Sequence, residues 1–223
     1  MEFINDLIKY IPFFLPAAWM TLKITVLGIL IGLILGLVMA LLRLSDKWWI
    51  NLLARVYIYV IRGTPLLLQL FFLFYVLRQA LGLDSFTAAF LALGVHNGAY
   101  IAEIFRGAIQ SIESGQMEAA RSLGMTYFKA LRRIILPQAL KRSIPPLGNQ
   151  FIIALKDSSL ASAITINEVL LQAQRLAAAN YKMLEMLTVA AIFYLFYTSI
   201  FTLVVNRLEF RLDVDNRLRG QEA

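Results

Sequence analysis

The sequence predicts an all-α protein that crosses a membrane several times. Hydrophobic residues make up 60% of its 223 positions, and the mean hydropathy is +0.70, far above the values of an ordinary water-soluble domain. Several apolar stretches also reach or approach the length of about 20 residues that a helix needs to cross the hydrocarbon core. These two observations indicate a polytopic integral membrane protein.

We predict five transmembrane helices and treat residues 1–223 as one transmembrane permease domain. The fourth span is short and continues into polar residues, whereas the second is interrupted in its middle. In chain order the approximate spans are Ile24–Leu42, Leu52–Leu81, Phe86–Phe105, Ile144–Leu155 and Leu184–Val205.

The first span carries a stripe of small residues. Every fourth position is small, which places one ridge along a single helix face: Gly28, Gly32, Gly36 and Ala40. Such a ridge lets another helix approach closely in lipid. We therefore expect a helix-packing seam here, without a direct functional role.

The second span contains Arg62, Gly63, Thr64 and Pro65 in succession. Proline has no backbone N–H and clashes with the preceding turn, so it bends or breaks a helix. We expect a kink at this point.

Basic residues predict how the chain is oriented, because short cytoplasmic loops are enriched in them. Most follow the first, third and fifth spans: Arg43, Lys47, Arg55, Arg106, Arg121, Lys129, Arg132, Arg133, Lys141, Arg142, Arg207, Arg211, Arg217 and Arg219. Fewer lie on the other side: Lys9, Arg78, Lys156, Arg175 and Lys182. This asymmetry predicts an outer N-terminus and a cytoplasmic C-terminus, and it explains the net charge of +7 without nucleic acid.

Motifs for catalysis are missing from the sequence. It has no phosphate-binding loop of the type G-x-x-x-x-G-K-[S/T], no cysteine, and a single histidine, His96. Zinc and di-iron sites need more ligands than one histidine offers. We expect no enzyme activity and no metal site, and we interpret His96 as a packed or hydrogen-bonded neutral side chain.

A charged stretch, EAARSLGMTYFKALRRIILP, lies between the third and fourth spans at residues 118–137. We predict a short helix from Glu118 to Leu123 that ends at a left-handed Gly124. Thr126 would cap a second helix over Tyr127–Ile135, and Pro137 would force a new start. These residues alone fit either a docking element or an amphipathic helix that rests on lipid headgroups.

The same stretch resembles the signature loop in membrane subunits of bacterial ATP-binding-cassette (ABC) importers. The matching pattern is EAA, three residues, glycine, nine residues and I-x-L-P: Glu118, Ala119, Ala120, Gly124, Ile134, Leu136 and Pro137. Further stretches, at 62–70, 97–109 and 136–164, are similar to the polar amino-acid branch of these permeases, which includes histidine, arginine, glutamine and glutamate importers.

This resemblance implies a type I importer permease in the bacterial cytoplasmic membrane. A coupling helix, within a loop at about 111–137, would dock on the ATPase through Glu118, Ala119, Ala120, Arg121 and Gly124. The implied partners are two cytoplasmic ABC ATPase subunits, a second identical or related permease subunit, and an extracytoplasmic solute-binding protein. ATP and Mg would bind to the ATPases and no cofactor to this chain. Alternating access would follow as ATP closes the ATPases.

Polar residues within the third and fourth spans are candidates for binding a polar amino acid, because ionisable groups in a membrane are costly. They are Asn97, Tyr100 and Glu103, spaced three apart, and Asp157 and Ser158, where the fourth span is interrupted. Broken helices offer free backbone groups to a zwitterion. Glu103 favours a cationic substrate. It could instead pair with Arg106, Asp157 could lie in a plain loop, and Glu168 could be a helix-end residue or a solvated gate.

The sequence also fits an ion-coupled secondary amino-acid transporter or channel that acts without an ATPase. Such a protein would need no docking loop. We expect the importer permease, an ATP-driven transporter of a polar and cationic amino acid.

Overall fold

The computed structural model describes residues 2–45, 47–77, 80 and 82–212, with only the backbone described for residues 2–6 and 77. Every regular element in these ranges is a helix, so the all-α prediction is confirmed. The helices are α1 (Glu2–Arg43), α2 (Trp48–Arg62), α3 (Leu66–Phe72), α4 (Ser85–Gln110), α5 (Ser114–Ser122), α6 (Tyr127–Ala130), α7 (Leu136–Asp157), α8 (Val169–Asn180) and α9 (Met183–Leu212).

Shorter elements continue these helices. A π-helical turn, Leu73–Leu77, extends α3, another, Leu131–Ile135, joins α6 to α7, and a 3-10 helix, Ser158–Ile164, follows α7. Of the basic residues used to predict the orientation, Arg78, Arg217 and Arg219 lie outside the described residues.

Three of the described helices, α1, α4 and α9, are long and apolar enough to cross a membrane, and the bent pair of α2 and α3 makes a fourth span if it is counted as one. The remaining predicted span lies within α7. This helix has 22 residues, but polar and charged side chains, including Lys141, Arg142 and Asp157, place it outside that apolar group.

The small residues of α1 pack against α4, as predicted. A Cβ atom added at Gly28 would lie 3.0 Å from Leu93, and one added at Gly36 would lie 2.5 Å from Cγ2 of Ile101. Contacts advance in the same direction along both helices, so α1 and α4 run parallel. We call this contact, formed by Gly28, Gly32, Gly36 and Ala40 with Leu93, Asn97 and Ile101, the α1–α4 seam.

The expected kink is a sharp elbow between α2 and α3, with a bend of 106°. The elbow leaves carbonyl groups without helical partners, and Gln69 satisfies two of them: its Nε2 donates to the carbonyls of Ile61 (2.7 Å) and Thr64 (3.0 Å). Its Oε1 lies 3.0 Å from Nδ1 of His96. His96 is therefore a buried, hydrogen-bonded side chain, as interpreted from the sequence.

At the start of α8, Glu168 is a helix-end residue and not a solvated gate, because it is completely buried. Its carboxylate accepts hydrogen bonds from the backbone N–H groups of Leu170 and Leu171, at 2.8 and 2.7 Å. The hydroxyl of Tyr194, on α9, donates a further bond of 2.6 Å. Glu168 therefore ties the start of α8 to α9.

Candidate functional site

The charged stretch forms a hairpin of two short helices. Helix α5 ends at Ser122, and Gly124 takes a left-handed conformation with φ of +81°. The Thr126 side chain caps α6 by accepting a bond of 3.3 Å from the N–H of Lys129. The predicted helix end, the left-handed glycine and the N-cap are therefore all present, although α5 begins at Ser114 and not at Glu118.

The new start predicted at Pro137 is confirmed, as a change of helix type without a gap. Helix α6 passes through the π-helical turn into α7, and Pro137 lies in the first turn of α7. Proline is tolerated at such a position, where its missing N–H leaves few bonds unmade. The hairpin is consequently continuous with the long helix α7.

A small apolar cluster anchors this hairpin to the bundle. Its buried members come from the end of α4, the π-helical turn and α7: Ala108, Ile112, Leu131, Ile135 and Ala139. We call residues Ser114–Ile135 the charged hairpin. Because its base packs on α4 and α7, a force on the hairpin acts on both helices.

The outer surface of the charged hairpin is open. Glu118, Ala119, Arg121 and Gly124 are exposed, whereas Ala120 is buried beneath them. Two large apolar side chains are also exposed beside them, Leu123 at 85% and Phe128 at 69%. Exposed apolar groups set among charges are typical of a protein interface.

Glu103 is surrounded by arginines. Its carboxylate pairs with Arg43 of α1 and with Arg106 one turn along α4, the latter at 2.8 Å, and Nη1 of Arg62 lies 3.9 Å away. The pairing with Arg106 that the sequence allowed is therefore observed. Because this carboxylate is already neutralised, it does not supply the negative field that motivated a cationic substrate.

Asn97 and Tyr100 face different surroundings, although their spacing suggested one broad face with Glu103. Asn97 is fully buried and bonds to Gln150 of α7 at 2.7 Å. Tyr100 lies under the guanidinium of Arg62, 5.2 Å from ring centroid to Cζ. Three residues of an α-helix fall about 60° short of a full turn, and six residues fall about 120° short of two turns. Asn97 and Glu103 therefore point well apart.

Asp157 and Ser158 lie together where α7 changes into the 3-10 helix, so the plain-loop interpretation is wrong. Both line a small cavity of about 10 Å³, room for roughly one water molecule, with residues of α1, α3 and α4, among them Ile24, Leu70 and Leu93. Ser158 is buried and donates to the carbonyl of Leu155 at 2.7 Å. The Asp157 carboxylate makes no hydrogen bond with any described residue, and the charge that acts on it is that of the adjacent Lys156.

The sequence interpretation missed two features of these sites. Arg62 was read only as part of a kink and Arg43 only as a marker of orientation, yet both reach Glu103. The available signal was the arginine itself, since a guanidinium beside an apolar span is costly unless it is paired or lines a water-filled space.

Comparison with known proteins agrees with this architecture. The model of the family "Binding-protein-dependent transport system inner membrane component" matches residues 28–216. The chain is 43% identical over 207 residues to the glutamine transport system permease protein GlnP of Escherichia coli (strain K12), covering 92% of this chain and 94% of that protein. It is 38% identical over 227 residues to the nopaline transport system permease protein NocM of Agrobacterium fabrum (strain C58 / ATCC 33970), covering 97% and 94%.

A solved structure shows the same fold. The crystal structure of an amino acid ABC transporter with histidines matches with a TM-score of 0.89 and 41% identity, covering 95% of this chain and 99% of that chain. The chain therefore belongs to the binding-protein-dependent inner membrane components, as a permease of the polar amino-acid family of type I ABC importers.

Proposed function

We propose that this chain is the transmembrane subunit of an ATP-driven importer that moves a polar amino acid into the cytoplasm by alternating access. The observation that carries the proposal is the exposed charged hairpin, whose base is packed on two helices of the bundle. A secondary transporter has no use for such a surface. The names of the relatives, which include glutamine and nopaline permeases, support an amino acid or a similar zwitterion as the cargo.

The proposed partners follow from the same family membership. Two ABC ATPase subunits on the cytoplasmic side hydrolyse ATP with Mg, a second permease subunit completes the pathway, and a solute-binding protein delivers the cargo from outside. The basic residues after the first, third and fifth predicted spans support an outer N-terminus and a cytoplasmic C-terminus. The membrane is the bacterial inner membrane.

Within the charged hairpin, Glu118, Ala119, Arg121 and Gly124 form the proposed contact with the ATPase because they are exposed. Ala120, which is 2% exposed, supports α5 from beneath. Its small side chain lets the helix lie close to the layer below it. Closure of the ATPases would pull on α5, and the apolar cluster at the hairpin base would pass this movement to α4 and α7.

For the substrate, we assign recognition of a positive group to Asp157 and Ser158. The Asp157 carboxylate lines the small cavity, which has to widen during alternating access before it can admit the cargo, and it has no hydrogen-bond partner among the described residues. A carboxylate in such surroundings attracts an ammonium or guanidinium group more strongly than it would in water. The proposed preference for cationic amino acids thus rests on Asp157. We assign Glu103 and Asn97 to holding the helices in place, and Tyr100 to supporting Arg62.

The docking role is tested with Gly124→Asp in the complete complex, reconstituted in liposomes with its ATPase and solute-binding protein. The space around Gly124 within this chain is open, so the substitution makes no clash inside the permease, and aspartate is among the residues that tolerate the left-handed backbone there, at a cost of about 1 kcal/mol. It does place a side chain and a charge on the proposed contact. We expect uptake of radiolabelled L-arginine and L-glutamine to fall at least about tenfold, as the loss of about 1.4 kcal/mol of coupling free energy would produce.

The matched control is Gly115→Asp, because Gly115 also lies on α5 and also has open space around it. It is not part of the signature pattern, and we expect near-normal uptake. Normal coupled uptake by the Gly124→Asp complex would contradict the docking role. Uptake driven by an ion gradient without the ATPase would support a secondary transporter instead.

Orientation is tested by single cysteines that react with a membrane-impermeant reagent. We expect cysteines at Ser45 and Ser114 to react only from the cytoplasm, and those at Asp84 and Asn180 only from outside. A reversed pair would contradict the proposed topology. Gly220 would serve as a further cytoplasmic position, although it lies outside the described residues.

A further inference from the structure

A second and larger cavity lies beside the arginines near Glu103. It has a volume of about 460 Å³ and is lined by residues of α1, α2, the elbow and α4, including Arg43, Arg55, Tyr59, Arg62 and Glu103. None of its lining residues also lines the small cavity at Asp157. The two cavities are therefore separate sites.

The larger cavity carries an excess of positive charge. Its single lining carboxylate, Glu103, is shared between Arg43 and Arg106. Arg62 lies 3.9 Å from that carboxylate, too far for a hydrogen bond, and its side chain is 45% exposed. Arg55 forms no ion pair or hydrogen bond with any described residue. The Arg55 guanidinium is thus unpaired among the described residues, and the Arg62 guanidinium, although within ion-pair distance of Glu103, keeps its hydrogen-bond donors for an anion.

The Arg55 and Arg62 guanidinium groups share one face of α2. Arg55 and Arg62 are seven residues apart, about two turns, and Tyr59 lies between them with 82% of its surface exposed. Tyr100 supports Arg62 from below through a cation–π contact. The position of Arg62 is therefore fixed although its hydrogen-bond donors are unused.

The same face continues toward the start of α2. A neighbouring cavity of about 340 Å³ also includes Arg55 and is lined by Ser45, Trp48, Asn51 and Leu52. The Oδ1 atom of Asn51 is buried without a hydrogen-bond partner. The two cavities share Arg55 and follow one another along α2, from Arg62 to Trp48, and we call them together the trough.

We propose that Arg62 and Arg55 form a transient site for the α-carboxylate of the transported amino acid, separate from Asp157. This inference rests on the proposed transport function. Guanidinium groups bind carboxylates through paired, charge-assisted hydrogen bonds. Because every α-amino acid has this carboxylate, the trough accepts cargo regardless of its side chain, whereas Asp157 selects for positive charge.

The charge of the trough is tested with Tyr59→Cys in the assembled complex, held in nanodiscs of phosphatidylcholine. The exposure of Tyr59 makes this substitution compatible with folding. We expect an anionic thiosulfonate reagent to react at least about tenfold faster than a cationic one of similar size, each rate being divided by its rate with a free thiol. The reason is that a cleft lined by positive charges raises the local concentration of anions. Adding Arg62→Gln should reduce this ratio, and adding Arg62→Lys should preserve it.

Carboxylate binding is tested by protection. L-arginine should slow the labelling of Tyr59→Cys severalfold, whereas L-argininamide, which lacks the carboxylate, should not. The protection should be absent with Arg62→Gln or Arg55→Gln. Equal protection by both compounds, equal rates for both reagents, or no labelling at all would each overturn the proposal.

A lipid headgroup is the main competitor for this site. If phosphatidylglycerol in the nanodisc abolishes the preference for the anionic reagent and L-arginine gives no protection, the trough binds lipid and the proposal is overturned. Failure of the transport function gives a different result. In that case uptake into liposomes would be absent while protection by L-arginine remained.

Discussion

Glycine has one purpose in the α1–α4 seam and another in the charged hairpin. In the seam, Gly28, Gly32 and Gly36 are needed for their lack of a side chain, since a Cβ atom at these positions would lie 3.0, 3.2 and 2.5 Å from the nearest atom of α4. In the hairpin, Gly124 has nothing within 4 Å of such an atom, but its φ of +81° disfavours other residues. One region requires space and the other requires a backbone conformation.

This difference separates a rigid contact from an adaptable one. The seam leaves no room for α1 and α4 to repack, so both must move together in any conformational change. The exposed face of the charged hairpin can meet a partner without disturbing the bundle. Substitutions in the seam should therefore affect folding, whereas those in the hairpin should affect local structure and coupling.

The largest effect is expected for Gly36→Val. The added atoms would overlap Ile101, 2.5 Å away, and the backbone nitrogen of Ala102, 3.0 Å away. Overpacking typically costs about 1–3 kcal/mol and occasionally more, and we expect the upper end here because one of the contacts is with backbone. Thermal unfolding of the purified protein in detergent should show a marked loss of stability. Gly107→Val is the control, because Gly107 lies on α4 with open space around it, and equal losses for both variants would contradict the role of the seam.

A smaller effect is expected for Glu103→Gln, which acts at the charged end of the same contact. The side chain of Glu103 is 19% exposed and pairs with Arg43 and Arg106. A partly buried pair lies between the surface and buried cases, so we expect a loss of about 1–3 kcal/mol in unfolding free energy. Because the neutral amide leaves the arginines to repel each other, adding Arg106→Gln should recover part of the loss.

The exposed Glu113 provides the control for this substitution, since its side chain makes no capping hydrogen bond. Glu113→Gln should change the unfolding free energy by less than about 0.5 kcal/mol. If Glu103→Gln changes the unfolding free energy as little as Glu113→Gln does, the arginines are held by other contacts. The α1–α4 contact would then depend on shape alone.

Local patterns predicted the seam and the elbow well. Small residues at every fourth position define a ridge on any α-helix. A proline such as Pro65 breaks a helix for reasons that involve only the nearby backbone. The left-handed Gly124 and the cap at Thr126 were predicted for the same reason. In each case the determining residues are close together in the sequence.

Long-range features were harder to predict. Arg43 and Glu103 are 60 positions apart, and no local pattern joins them. The shared face assigned to Asn97, Tyr100 and Glu103 ignored the rotation that accumulates over six residues of a helix. A new start at Pro137 was predicted, but the π-helical turn that leads into α7 without a gap was not. Packing between helices brings Arg43 to Glu103, whereas the other two features follow from the geometry of a single helix.

The smallest effect is expected for Gly124→Ala, and it sharpens the comparison because no clash is involved. Holding alanine at a left-handed φ costs about 1 kcal/mol. We expect faster hydrogen exchange of the amides in α5, whose end the Gly124 conformation sets, and an unchanged α1–α4 seam. Gly124→Asn should cost less, since asparagine tolerates this conformation. Gly115→Ala should instead slow the hydrogen exchange of these amides. Gly115 lies in open space within α5, where alanine favours helix by up to about 1 kcal/mol. If Gly124→Ala instead protects α5 as well as Gly115→Ala does, backbone conformation is not the reason for glycine at 124.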